Sequence, residues 1–142
     1  MTCFEALARV EGVRLVSLQK GPGTAQLSAQ TFPILDLSDR LDAEAAFIDT
    51  AAVMMNLGLV VTVDSALAHV AGALGVPVWV PLTLAPDWRW LLERSDSPWY
   101  PTMRLFRQQR LGDWESVFAE MAAALRLLCR ADSERETTTG SI

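Results

Sequence analysis

The sequence is poor in the residues that build metal centres and disulfide frameworks. It has two cysteines and one histidine. Cys3 and Cys129 lie near opposite ends, and His69 adds at most one ligand, so no zinc-type spacing exists. Reduced thiols are the simpler state for the two cysteines, with a disulfide between them as the alternative. No Asp-x-Asp pair is present. Charge of one sign is also scarce: 12 basic against 17 acidic side chains give a net charge of -5 and a pI near 4.8. That balance argues against a protein that holds nucleic acid by bulk charge. The N-terminus lacks a basic start, apolar run and cleavage site, so no signal peptide is expected and the chain reads as cytoplasmic.

From Ser65 to Pro86 no charged residue occurs, long enough to span a bilayer on hydropathy alone. Gly72, Gly75, Pro77 and Pro81 interrupt that stretch, which reads instead as a buried helix followed by a buried strand. No membrane span is expected.

What is present is apolar: hydrophobic residues make up 51% of 142 residues, enough for one core. A helix is expected over Phe4–Glu11 and strands over Val13–Leu18 and Pro33–Leu37. Ala43–Leu57 reads as a helix, with Phe47, Ala51 and Met54 at helical spacing. The unbroken apolar runs Gly58–Val63 and Val76–Leu82 mark strands covered on both faces. Between them Asp64 and Ser65 start a helix that stops at Gly75. A last strand is expected at Met103–Phe106, and Gly112-Asp113 opens a helix from Trp114 to about Arg130. Residues 1–130 are expected as one domain and 131–142 as a disordered tail.

Alternating strands and helices predict an α/β fold, a Rossmann-like three-layer parallel sheet with helices on both faces. Ligands bind such sheets at the carboxyl ends of the strands. This selects the loops at Lys20–Thr24, Asp64-Ser65 and Thr83–Arg89. The turn Gly21–Gln26 meets only part of the dinucleotide fingerprint, because Gln26 stands where a small residue belongs. Gln19 and Lys20 reach the same loop. Lys20 suits a phosphate, although spacing alone favours a solvated turn lysine.

The helix start at Asp64-Ser65-Ala66 offers free N–H groups and partial positive charge, a seat for a diphosphate. His69 shares a face with Ser65 one turn deeper. On residue type alone it is more often a satisfied core histidine than a functional one. Trp88 and Trp90, with Arg89 between them, follow a core strand and either wall a ligand or pack a long loop. Asp36, Asp39 and Asp42 read as a solvated acidic loop.

The run LVVTVDSALAHVAGALGVPVWVPL at Leu59–Leu82 resembles the nucleotide-sugar-binding segment of glycosyltransferase family 9, the heptosyltransferase-like enzymes. LVSLQKG at Leu15–Gly21, FIDTAAVMMNLGLVVTVD at Phe47–Asp64 and APDWRWLLERSDSPWYPTMRLFRQ at Ala85–Gln108 resemble the bacterial version fused behind tetratricopeptide repeats. The resemblance implies the C-terminal half of a GT-B enzyme, which binds a nucleotide diphosphate sugar for inverting, metal-independent transfer. Carried over, Lys20 and Gln19 match the basic group at the phosphates, and Asp64, Ser65 and His69 match the loop that cradles the diphosphate. Ala66 departs from the usual glycine. Lys20 and His69 are the candidate catalytic residues; no metal or other cofactor is expected. The expected partners are the nucleotide sugar and an N-terminal acceptor-binding or tetratricopeptide domain, without which the half is expected to be inactive. A non-catalytic interaction module that self-associates is the alternative.

Overall fold

The computed structural model describes residues 2–139. Four α-helices alternate with five short strands: α1 Glu5–Ala8, β1 Leu15–Ser17, β2 Ile34–Asp36, α2 Ile48–Met54, β3 Val60–Val61, α3 Ala66–Leu74, β4 Val78–Leu82, β5 Met103–Arg107 and α4 Trp114–Thr139. Every ladder is parallel. The fold is α/β, as the alternation of patterns predicts.

The strands form two sheets rather than one: β1 pairs with β2, and β3, β4 and β5 follow in that order. The single sheet expected from sequence is therefore divided into hydrogen-bonded units. Its expected third strand, Gly58–Val63, contracts to Val60–Val61 and pairs only with β4.

β4 shows why this segment is apolar throughout. All five residues are buried. Val78, Val80 and Leu82 join Met54, Val60, Ala68, Ala71, Met103 and Leu105 in one cluster beneath α2 and α3. Trp79 points the other way, into a cluster with Phe106, Leu7 and the α4 residues Val117, Phe118 and Met121. Alternation with a period of two thus feeds two helical layers, one on each face. Pro81 fits inside this strand because β3 has already ended. The last bond across that edge runs from Thr62 N–H to the Trp79 carbonyl at 3.2 Å, so no ladder bond is lost at Pro81.

Three helices differ from their expected bounds, the first being α1, which covers only Glu5–Ala8 of the expected Phe4–Glu11. The segment Ala43–Leu57 yields only Ile48–Met54, because Phe47 takes a left-handed conformation at φ 66° and breaks the helix. Asp42 supplies the start instead. Its carboxylate accepts the N–H groups of Asp49 (2.9 Å) and Thr50 (3.1 Å) and the Thr50 hydroxyl (2.6 Å). Asp49 in turn accepts the Asp42 N–H at 2.7 Å, a reciprocal cap. Asp42 is thus a capping residue, not part of a solvated acidic loop. At the other end, α4 continues past Arg130 to Thr139. Ala131, Glu134 and Arg135 are good helix formers and extend the polar end of the helix. Residues 140–142 of the expected tail lie outside the described residues.

Among the described residues no helix is long and apolar enough to cross a membrane. Cys3 and Cys129 are free, half-buried thiols against the same cluster.

Candidate functional site

The carboxyl end of β3 leads directly into α3, as the charge-free run from Ser65 implies. Ser65 sits at the N-cap in extended conformation, and its side chain makes no capping hydrogen bond. Its hydroxyl instead meets the Thr62 hydroxyl at 3.2 Å. The Ala68 N–H donates to the Ser65 carbonyl at 3.1 Å, but among the described residues no side chain caps the first turn of α3, and Asp64 and Ala66 are exposed beside it. The helix ends at Gly75 in the left-handed conformation at φ 70° that glycine adopts at little cost.

His69 lies one turn deeper and is held on two sides. Its ring stacks on Trp90, with centroids 5.5 Å apart and planes 19° from parallel. Its Nδ1 lies 3.0 Å from the Tyr100 hydroxyl. Trp90 is fully buried, and its indole N–H has no partner among the described residues. Arg107, at the end of β5, donates to the Trp90 carbonyl at 3.2 Å, and burial pushes its guanidinium down from the usual arginine range. Neither Trp90 nor Tyr100 stood out by spacing, because loop 83–102 has no period to read; their aromatic type was the available signal.

Lys20, the single lysine of the chain, is exposed after β1. Its ammonium donates to the carbonyls of Leu41 and Asp42. Its charge thus helps hold the Asp42 carboxyl below the ordinary aspartate value, behind the Thr50 hydroxyl bond that is the main cause. Gln19 is half-buried beside it, its amide N–H donating to the Ser17 hydroxyl at 3.3 Å. Its side-chain amide lies over Gly23, where a Cβ would collide with it. Leu18 packs on the cluster that contains Ala68 and Ala71 of α3, so this loop and α3 share a core, although no hydrogen bond joins Lys20 to Ser65 or His69 among the described residues.

Arg89 and Trp88 form a separate exposed group. Arg89 pairs with Asp87 at 2.9 Å and lies over the Trp88 ring at 5.5 Å. Trp88 is 71% exposed. The Trp99 indole N–H donates to the Arg89 carbonyl at 3.2 Å, which ties the loop together. The structure therefore brings Ser65, Ala66 and His69 together on α3, with Asp64 beside them. It places Lys20 with Gln19, and Trp88 with Arg89, in two further loops. Among the described residues no three His, Cys, Asp or Glu side chains come together to hold a metal ion.

Residues 30–80 match the family model of glycosyltransferase family 9 (heptosyltransferase). The resemblance to glycosyltransferase family 9 holds. The matched segment runs from before β2 into β4 and contains Asp64, Ser65, Ala66 and His69. Gln19, Lys20, Trp88 and Arg89 lie outside it. Protein FlbA of Caulobacter vibrioides is 30% identical over 126 residues, covering 87% of this chain and 21% of FlbA. The chain thus spans about a fifth of the length of that curated relative. No solved structure matches.

Proposed function

We propose that the chain is the donor-binding part of a glycosyltransferase, with a nucleotide diphosphate sugar seated at the start of α3. The observation that carries this is the uncapped first turn of α3, with His69 one turn below it, inside the segment matched to glycosyltransferase family 9. Unclosed first-turn amides favour an anion. A diphosphate leaving group needs that stabilisation as its negative charge develops. The reaction class this fits is inverting transfer in a GT-B arrangement. Helix amides, His69 and a nearby basic side chain there replace a divalent ion.

In this reading Ser65 offers its hydroxyl and His69 a ring N–H to phosphate oxygens. Lys20 reaches the phosphates by leaving the carbonyls of Leu41 and Asp42, and Arg89 by leaving Asp87. Trp88 gives a face for base or sugar. The group that deprotonates the acceptor belongs to a partner, an N-terminal acceptor-binding or tetratricopeptide domain. FlbA is much longer than this chain, which leaves room for such a domain in a relative.

A second reading, a non-catalytic interaction module of cytoplasmic location, is favoured by one observation. Trp88, Leu92 and Trp99 are 71%, 71% and 58% exposed on the loop beyond β4. Calorimetric titration with UDP, GDP, ADP and CMP, with and without magnesium, separates the two. Saturable binding of one nucleotide that magnesium leaves unchanged, and that His69→Ala abolishes, supports the donor site. Binding of none of the four overturns it in favour of the module.

A further inference from the structure

Gly72 has a purpose that its helical neighbours do not share. A Cβ built there would stand 2.4 Å from the Tyr100 ring, closer than real contacts allow. The missing side chain lets Tyr100 press against α3, at the position one turn below His69. Tyr100 comes from the loop that leads into β5, and its hydroxyl reaches His69 Nδ1 at 3.0 Å. The two rings meet edge to face at 5.8 Å. Trp90 stacks on the face of the His69 ring, and its backbone is pinned by Arg107.

We propose that Tyr100 is a positioning residue: its hydroxyl donates to Nδ1 of His69 and holds the proton on Nε2, which then faces the diphosphate as a donor. Gly72 is the space this device requires. A neutral imidazole has one donor and one acceptor nitrogen, so the role that one takes in its hydrogen bond fixes the role of the other. A phenol donating at Nδ1 makes Nε2 the N–H. Stacking on Trp90 removes the remaining freedom, rotation of the ring. Arg107, Trp90, Tyr100 and Gly72 so form a support in which only His69 meets the ligand. This inference rests on the donor-site reading for the ligand, but not for the tautomer.

The chain has one histidine and one tyrosine, which makes the test direct. Imidazole nitrogen NMR of the full chain, at a pH where the ring is neutral, is expected to show a pyrrole-type Nε2 and a pyridine-type Nδ1. Tyr100→Phe, which keeps the ring against Gly72, is expected to give a mixture of tautomers. It is also expected to weaken binding of inorganic pyrophosphate about fivefold, the scale of one hydrogen bond. Gly72→Ala should displace the Tyr100 ring and give the same mixture. A His69 signal unchanged in Tyr100→Phe, or a proton on Nδ1 in the wild type, overturns the positioning role. Pyrophosphate that fails to bind the wild type, with the tautomer result as expected, overturns the donor site and takes the ligand from Nε2.

Discussion

At the scale of single residues, the basic and acidic groups do more holding than the sequence suggests. Asp42 is the clearest case. Its folded carboxyl titrates below the ordinary 3.8, mainly because the Thr50 hydroxyl binds the charged form. A lowered acid stabilises the fold above its unfolded value and loses that contribution as pH falls through the folded one. Asp96, bonded to Arg94, and Asp113, bonded to Ser116, act in the same direction. Thermal melts are therefore expected to decline modestly below about pH 4, since these carboxylates are solvent-screened. Asp42→Asn should melt lower than wild type at pH 7 and lose less on acidification; an equal loss in both proteins would rule out the cap as a source. Lys20 is tied to two carbonyls of the same turn. Lys20→Ala is expected to cost about 1 kcal/mol in chemical denaturation, besides any effect on nucleotide binding. Neither role was legible in advance, since a turn lysine and a string of aspartates carry no sign of which backbone groups they will meet.

At the scale of elements, the apolar runs were the legible part. Val76–Leu82 announced a strand buried on both faces, as β4 is, and the break at Asp64-Ser65 announced the start of α3. Gly58–Val63 announced another such strand, but only Val60–Val61 forms one, at the edge of its sheet, with Val63 57% exposed. Loop-borne parts were not legible. Tyr100 and Trp90 reach His69 from loop 83–102, where side-chain positions follow from tertiary packing and no local period exists. Helix bounds shifted for a similar reason: Phe47 and Asp42 set the start of α2, against a periodicity that began five residues earlier at Ala43. The layers on the two faces of β4 should respond separately to truncation. Met121→Ala, in fully buried contact on the α4 side, is expected to cost about 2–5 kcal/mol and leave His69 undisturbed. Trp90→Ala, on the α3 side, is expected to cost about 3–5 kcal/mol and also free the His69 ring. Denaturant unfolding gives the first quantity, and the His69 NMR signal separates the two variants.

At the scale of the whole molecule, the exposed Trp88, Leu91, Leu92 and Trp99 gather on the loop between β4 and β5. A surface of this kind favours association when no partner covers it. Sedimentation is expected to show an average mass that rises with concentration, and Leu92→Glu should return the chain to a monomer. A concentration-independent monomer in the wild type would remove self-association from the second reading. A different consequence follows from the strand order. Every strand pair is parallel, and the chain must travel from Leu18 to Pro33, from Thr62 to Pro77 and from Thr83 to Thr102 between paired strands. Apart from one antiparallel bridge that joins Asp96 to Arg104 at the start of β5, no local pairing can seed either sheet, so loop-closure entropy is spent before the parallel ladders form. Helices α3 and α4, whose bonds are local, can form early, while β4 must wait for both neighbours. The chain should consequently refold slowly for its size, and mutations in β4 should retard folding more than those in α4 do.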